Sequence, residues 1–279
     1  MKSPMALEEV GAMFRSMPEY ADLVRNCYID ADVHGAAERF LRSSEFAETL
    51  HRICAFRSPG IVLDLGAGNG IASYAFASSG ARKVYPLEPD PGDTLGRGAI
   101  RRVMNGMAYE VLAGDGERIS LPDASVDLVY SRQVLHHARS LGGMLAECAR
   151  VLCPGGVFFA CREHVVDDEM QKVEFLANHP VHRYTGGENA YSLQEYLEAI
   201  RGSGMDLKEC LGPWDSVINA FPEVRSDEEL KGRPVRMLLD RHRYLGPVLA
   251  HIPFAVRRYG RRLKADRSPG RLYAFLAVK

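Results

Sequence analysis

The sequence predicts an α/β fold built on a doubly wound, mostly parallel sheet, and three observations carry that expectation. Strand-like and helix-like segments alternate regularly from residue 61 to residue 211. The stretch "IVLDLGAGNG" (61–70) runs from an apolar strand into glycines at every second position. The chain has 279 residues, 46% hydrophobic and 25% charged, which suits one large domain with additions.

Each element has a local reason. Phe40, Phe46, Leu50, Ile53 and Cys54 recur at helical spacing, so 36–56 is expected as one amphipathic helix that Ser58-Pro59-Gly60 closes. Residues 61–65 form a short buried strand broken only by Asp64, and 71–79 a helix. A strand at 83–87, a helix at 94–104 and a strand at 109–112 follow. "SVDLVYS" (125–131) is the next strand, 141–152 a helix closed by "CPGG", and "GVFFAC" (156–161) another strand. Ser192 and Glu195 make a capping box that opens a helix to about Arg201. "MDLKECLG" and "RLYAFLAVK" (271–279) complete the strands.

Composition narrows the function classes. No apolar run approaches the ~18 residues of a membrane span. The opening "MKSPMALEEV" lacks the regions of a secretion signal, and the six cysteines form no CxxC pair, so reduced thiols in the cytoplasm and no zinc site are expected. Net charge is −1, yet residues 231–279 hold thirteen Lys and Arg against Asp240 and Asp266, a local charge of +11. That imbalance points to an anionic partner, or to a basic segment packed on an acidic remainder.

In a doubly wound sheet the ligand sits at the carboxyl ends of the strands, and the first turn supplies the glycines. Gly66, Gly68 and Gly70 give G-x-G-x-G, and Ile71 stands where a dinucleotide site has its third glycine. Asp64 beside the turn can organise a cationic amino-acid ligand instead.

These residues resemble motif I of the class I S-adenosylmethionine-dependent methyltransferases. Glu88 in "VYPLEPD", "AGDGERISLPDASVDLVYSRQVLHHA" and "ECARVLCPGGVFF" extend the resemblance over residues 60–162. It implies S-adenosylmethionine as cofactor, held by Asp64, Gly66, Gly68 and Gly70. Glu88 would bind the ribose hydroxyls, Asp115 the adenine amino group, the Gly116 amide would sit by the ring, and Ser131 would lie at the methionine end. It also implies a Rossmann-like seven-stranded sheet whose last strand, antiparallel, slots between the fifth and sixth.

For the acceptor, "YSRQ" lacks the Asn/Asp-Pro-Pro-aromatic pattern of enzymes that methylate amino groups of bases or of glutamine. His136 aligns best with the general-base histidine of plant-type phenolic O-methyltransferases, while a histidine that only lines the pocket is the other reading. His137, Glu163, His164, His182, Arg183 and Tyr184 are the expected substrate contacts. His179 and His182 are spaced HxxH without companion ligands, so no metal site is expected.

The expected organisation is a helical cap (1–59), a cofactor-binding core (60–211, with a substrate loop at 163–190), a basic helical insertion (212–270) and a final strand (271–279); because the sixth strand exits on the cofactor side, the insertion is expected to roof the site together with the N-terminal helices and the 163–190 loop. Helices are expected near 226–244 and 247–264, with the arginines near 257–262 gripping an anionic acceptor. A peripheral membrane contact of "PVLAHIPFAVRRYGRRLK" stays open as an alternative, and no dedicated nucleic-acid module is recognisable. The leading expectation is O-methylation of a small molecule or glycan, polar or anionic. The alternatives are C- or N-methylation of an anionic metabolite, and a non-catalytic S-adenosylmethionine-binding regulator. Oligomeric state is not legible in the sequence.

Overall fold

A computed structural model describes residues 5–242 and 244–279, so Arg243 of the basic segment lies outside the described residues. The strands are β1 (Ile61–Leu65), β2 (Lys83–Leu87), β3 (Val126–Arg132), β4 (Leu152–Val166), β5 (Tyr191–Ser192), β6 (Asp206–Leu211) and β7 (Arg271–Val278). They make one sheet in the order β2-β1-β3-β4-β7-β6, with β5 pairing β4. β1 to β4 run parallel, and β7 lies antiparallel between β4 and β6, as the last strand was expected to.

Both faces of the sheet are covered, which is why its central strands are apolar on both sides. On one face Val62, Tyr130 and Phe159 pack with Phe40, Phe46 and Phe76. On the other, Leu63, Val129 and Phe158 pack with Leu145 and Cys148 of the helix Leu141–Val151. The helices of the N-terminal cap are α1 (Leu7–Ser16), α2 (Ala21–Asn26), α3 (Val33–Leu41) and α4 (Ser44–Cys54), and α5 (Ile71–Ser78) follows β1.

Four expectations change. The helix at 36–56 is two helices, because the Ser43 hydroxyl accepts from the Phe46 N–H and caps a new start. The strand at 109–112 is reduced to isolated parallel bridges, Val84 to Tyr109 and Leu87 to Leu112. Its partner β2 carries Pro86, which has no N–H to donate to the ladder. The fifth strand does not stop at 161 but runs to Val166, through a bulge at Arg162 (φ 60°) where the register with β7 shifts. Glu163 and His164 therefore sit on a strand, not in a loop. In the insertion the first helix ends at Arg241, and the second region splits into Gly246–Leu249 and Pro253–Lys264, with Pro253 opening the last helix instead of interrupting it.

The insertion packs beside the sheet. Arg162 donates to the carbonyls of Ile218 (2.9 Å) and Phe221 (2.8 Å), and Lys264 pairs with Asp215 (2.7 Å). The cap is joined to the end of β3 by Arg132 and the fully buried Glu45, paired at 2.7 Å. Such a pair matters chiefly through the cost of leaving either charge alone, about 3–5 kcal/mol.

Candidate functional site

The site begins at the turn after β1. Gly66, Gly68 and Gly70 all have positive φ (64°, 56° and 85°), a conformation that favours glycine. Their surroundings differ. A Cβ on Gly66 would lie 2.5 Å from the Val134 side chain, and one on Gly70 would lie 3.2 Å from the Ile100 backbone. A Cβ on Gly68 would meet nothing within 4 Å, so the turn leaves a cradle open to the cleft beside it. The turn is pinned from two sides. The Gly68 N–H donates to Glu88 (2.8 Å), and the Asn69 amide donates to the Tyr28 carbonyl of the cap (2.6 Å).

A cleft of about 740 Å³ opens there, within the range of small-molecule sites. Asp64, Gly66, Gly68, Glu88, Asp115, Gly116, His136, His137 and His164 line it, so the structure brings these predicted residues together. Gly70 does not line it; it packs against the helix Arg97–Val103. Ser131 is buried behind the wall with its hydroxyl unpaired. Glu163 is fully buried, and His182, Arg183 and Tyr184 lie outside the lining. Tyr184 instead meets Phe14 edge-on, and its carbonyl accepts from the Met5 N–H, which joins α1 to the 180s segment. None of the described residues of 212–270 lines the cleft. The roof is made by α1, α2 and 179–188, while the start of the insertion is held to the sheet by Arg162 of β4 and by Asn219, whose amide donates to the Leu211 carbonyl of β6.

Burial dominates the electrostatics of the cofactor end. It raises Asp64 to about 7, although the Ser73 hydroxyl donates to it at 2.6 Å. It also raises Glu88, against hydrogen bonds from the Asp90 and Gly68 N–H groups. Asp115 is more exposed and pairs with Arg139 at 2.9 Å.

The other end is a cluster of histidines and carboxylates. The bulge in β4 aims Glu163 under the turn that follows β3, where it accepts from the Val134 N–H (3.0 Å), the His136 N–H (3.2 Å) and His136 Nδ1 (2.8 Å). His136 Nε2 lies 3.3 Å from Glu188. Burial disfavours the charged imidazole, but hydrogen bonds to Glu163 and Glu188 outweigh it and lift His136 to about 9. A ring held between two carboxylates in this way has no free lone pair, which departs from the general-base expectation. His137 and His164 are held differently. Their Nδ1 atoms face the carbonyls of Gly187 (3.1 Å) and Gly270 (3.0 Å), so Nδ1 carries the proton and Nε2 the lone pair. Burial lowers both, His164 to about 3. Glu188 is one of the side chains suited to polar substrates in the stretch leaving the sheet on the ligand side, but it was not singled out among the expected substrate contacts. The N-terminal helices were expected to share in the roof, but the apolar wall they supply through Leu7, Val10, Phe14 and Leu23 was not read residue by residue.

Comparison with known proteins agrees with this geometry. The family described as "Methyltransferase domain" matches residues 63–160. A protein of Methylococcus capsulatus named malonyl-acyl-carrier-protein O-methyltransferase is 33% identical over 195 residues, 66% of this chain and 68% of that one. A Mycolicibacterium smegmatis protein described as a probable S-adenosylmethionine-dependent methyltransferase is 32% identical over 184 residues, 64% of this chain and 65% of that one, just under two thirds of its length. The crystal structure of a Mesorhizobium loti S-adenosylmethionine dependent methyltransferase superposes with a TM-score of 0.56 at 16% identity, covering 86% of this chain and all of that one, a likeness of fold. The chain belongs to the class I S-adenosylmethionine-dependent methyltransferases. Its cofactor is S-adenosylmethionine, which the open cradle at Gly68 and the buried carboxylates of Asp64 and Glu88 fit.

Two outcomes are expected with S-adenosylhomocysteine in calorimetry. Gly68→Val abolishes binding, and Glu88→Ala weakens it roughly ten- to hundredfold through lost charge-assisted hydrogen bonds; affinities equal to wild type in both would remove these residues from the site. Affinity is also expected to depend on pH through Asp64. Its carboxyl titrates near 7 in the free protein, and a cationic α-ammonium group favours the ionised form. Binding should therefore be strongest above about pH 7 and weaken on the order of tenfold toward about pH 5.5. Asp64→Asn should flatten this profile, and a flat wild-type profile would contradict the role.

Proposed function

We propose that this chain transfers the methyl group of S-adenosylmethionine to an oxygen of a small molecule or glycan held at the histidine end of the cleft. Asp64, Gly66, Gly68, Glu88, Asp115 and Gly116 hold the cofactor in this reading, and the sulfonium faces His136, His137 and Glu188. The observation that carries it is the row of hydrogen-bond acceptors on that wall. The Nε2 atoms of His137 and His164 and the Glu188 carboxylate border the same cleft as the glycine turn.

The sulfonium already makes the methyl group electrophilic. What the protein supplies is alignment, exclusion of water and a destination for the acceptor's proton. A neutral hydroxyl benefits from all three, and acceptor atoms at its end of the cleft match the donor it carries. The roof of α1, α2 and 179–188 shields the reacting atoms. The name of the Methylococcus capsulatus relative, an O-methyltransferase, agrees with an oxygen acceptor. The basic segment lends no support to an anionic acceptor, because none of its described residues reaches the cleft.

The test is turnover of hydroxylated metabolites and oligosaccharides with S-adenosylmethionine, the products being located by fragmentation mass spectrometry. O-methylated products are expected, with kcat falling roughly 100-fold or more in His137→Ala. Products methylated only on carbon or nitrogen would overturn the choice of oxygen. Cofactor binding without turnover of any acceptor class would favour the regulator.

A further inference from the structure

The imidazoles and carboxylate at the end of the cleft are spaced for more than hydrogen bonding. One ring nitrogen each of His136 and His137 and a Glu188 oxygen lie within 4.8 Å of one another, and Glu188 stands 3.3 Å from His136 Nε2 and 3.7 Å from His137 Nε2. Nitrogen and oxygen ligands of a tetrahedral zinc ion, each 2.0–2.1 Å from the metal, stand about 3.3 Å apart. The triad therefore needs only small adjustments to share one ion.

The supporting atoms are also those a metal site uses. A ligating histidine donates its other ring N–H to a carboxylate or a backbone carbonyl, which fixes its tautomer and orientation. His136 Nδ1 meets Glu163 at 2.8 Å, and His137 Nδ1 meets the Gly187 carbonyl at 3.1 Å. Glu163 is itself locked by the N–H groups of Val134 and His136. The buried Glu163 and the half-buried Glu188 thus converge on the two ring nitrogens of His136, an arrangement that favours added positive charge. Three protein ligands with an open side on a cleft are the pattern of catalytic metal sites, and all three residues line the cleft. The HxxH pair does not assemble in this way. His182 lies off the cleft, and His179 spends its Nδ1 accepting from the His182 N–H.

We propose that His136 Nε2, His137 Nε2 and the Glu188 carboxylate bind one divalent transition-metal ion, Zn²⁺ or a close relative, at the acceptor end of the cleft. The ion takes the place of the proton between His136 and Glu188, and that proton leaves to solvent. Its open position takes an oxygen of the acceptor. The ion acts there as a Lewis acid that eases loss of the hydroxyl proton to His164 Nε2, the acceptor on that wall that the ion leaves unligated, and the oxygen so freed takes the methyl group from the sulfonium. This last role rests on the methyl-transfer reading; the binding of the ion does not.

The test uses the full chain, stripped with a chelator and desalted, with neither cofactor nor acceptor present. Zn²⁺ is titrated by calorimetry and Co²⁺ by visible absorption. One ion per chain is expected, with a cobalt band that shows nitrogen and oxygen ligation. Glu188→Gln and His137→Ala should each weaken binding on the order of 100-fold or more, and Glu163→Gln roughly 10–100-fold although it touches no metal. His182→Ala should change nothing. The far-UV circular dichroism spectrum and a cooperative thermal unfolding transition, measured on every variant, should be retained and so report an intact fold. Absence of binding, or binding that survives both His137→Ala and Glu188→Gln, would overturn the metal site. Metal binding without turnover of any acceptor would instead sink the methyl-transfer reading and leave the site standing.

Discussion

A single buried carboxylate organises the histidine end of the cleft. Glu163 has no exposed surface, and uncompensated it would be too costly to ionise there. It is compensated by three N–H groups, two from the backbone of the turn after β3 and one from the ring of His136. That turn can close only one way around it. The consequence is a fixed orientation for His136, and through it for His137 and Glu188. Glu163 is a positioning residue, and it reaches its place because β4 bulges at Arg162, whose side chain is tied to the Ile218 and Phe221 carbonyls.

The cofactor end depends on a different device. Its glycine turn is fastened to the sheet by Glu88 and to the cap by Asn69. The cap is fastened in turn. Glu8 accepts from the Thr94 N–H at 2.9 Å, Arg15 donates to Thr94 at 3.2 Å, and Met5 reaches the Tyr184 carbonyl. These contacts hold a lid of α1, α2 and the 180s segment over both ends of the cleft. In the proposed reaction the lid supplies apolar surface to the acceptor and keeps water from the methyl group's path.

Much of this was legible in the sequence, for stated physical reasons. Glycines with positive φ, an acid after β2 and apolar strands covered on both faces are local signals, so the core from 61 to 162 reads directly. The capping box at Ser192 and Glu195 formed as read. What failed was long-range. The exit of the sixth strand at the carboxyl end of the sheet, together with a charge of +11, suggested that the basic segment roofed the site, but neither says which surface a helix packs on. Glu163 resembled a substrate contact because the bulge that turns it inward has no sequence mark. Glu188 and the α1 wall come to the cleft from distant parts of the chain, and only the folded arrangement shows it.

In the proposed reaction the cofactor's reactive sulfur faces the cluster that Glu163 organises. A crystal structure of the chain with S-adenosylhomocysteine tests it most directly. The expected result has the ribose hydroxyls on Glu88, the adenine beside Asp115 and Gly116, and the sulfur turned toward His136, His137 and Glu188. A ligand bound the other way round, with adenine against the histidines, or one bound outside the cleft, would contradict it.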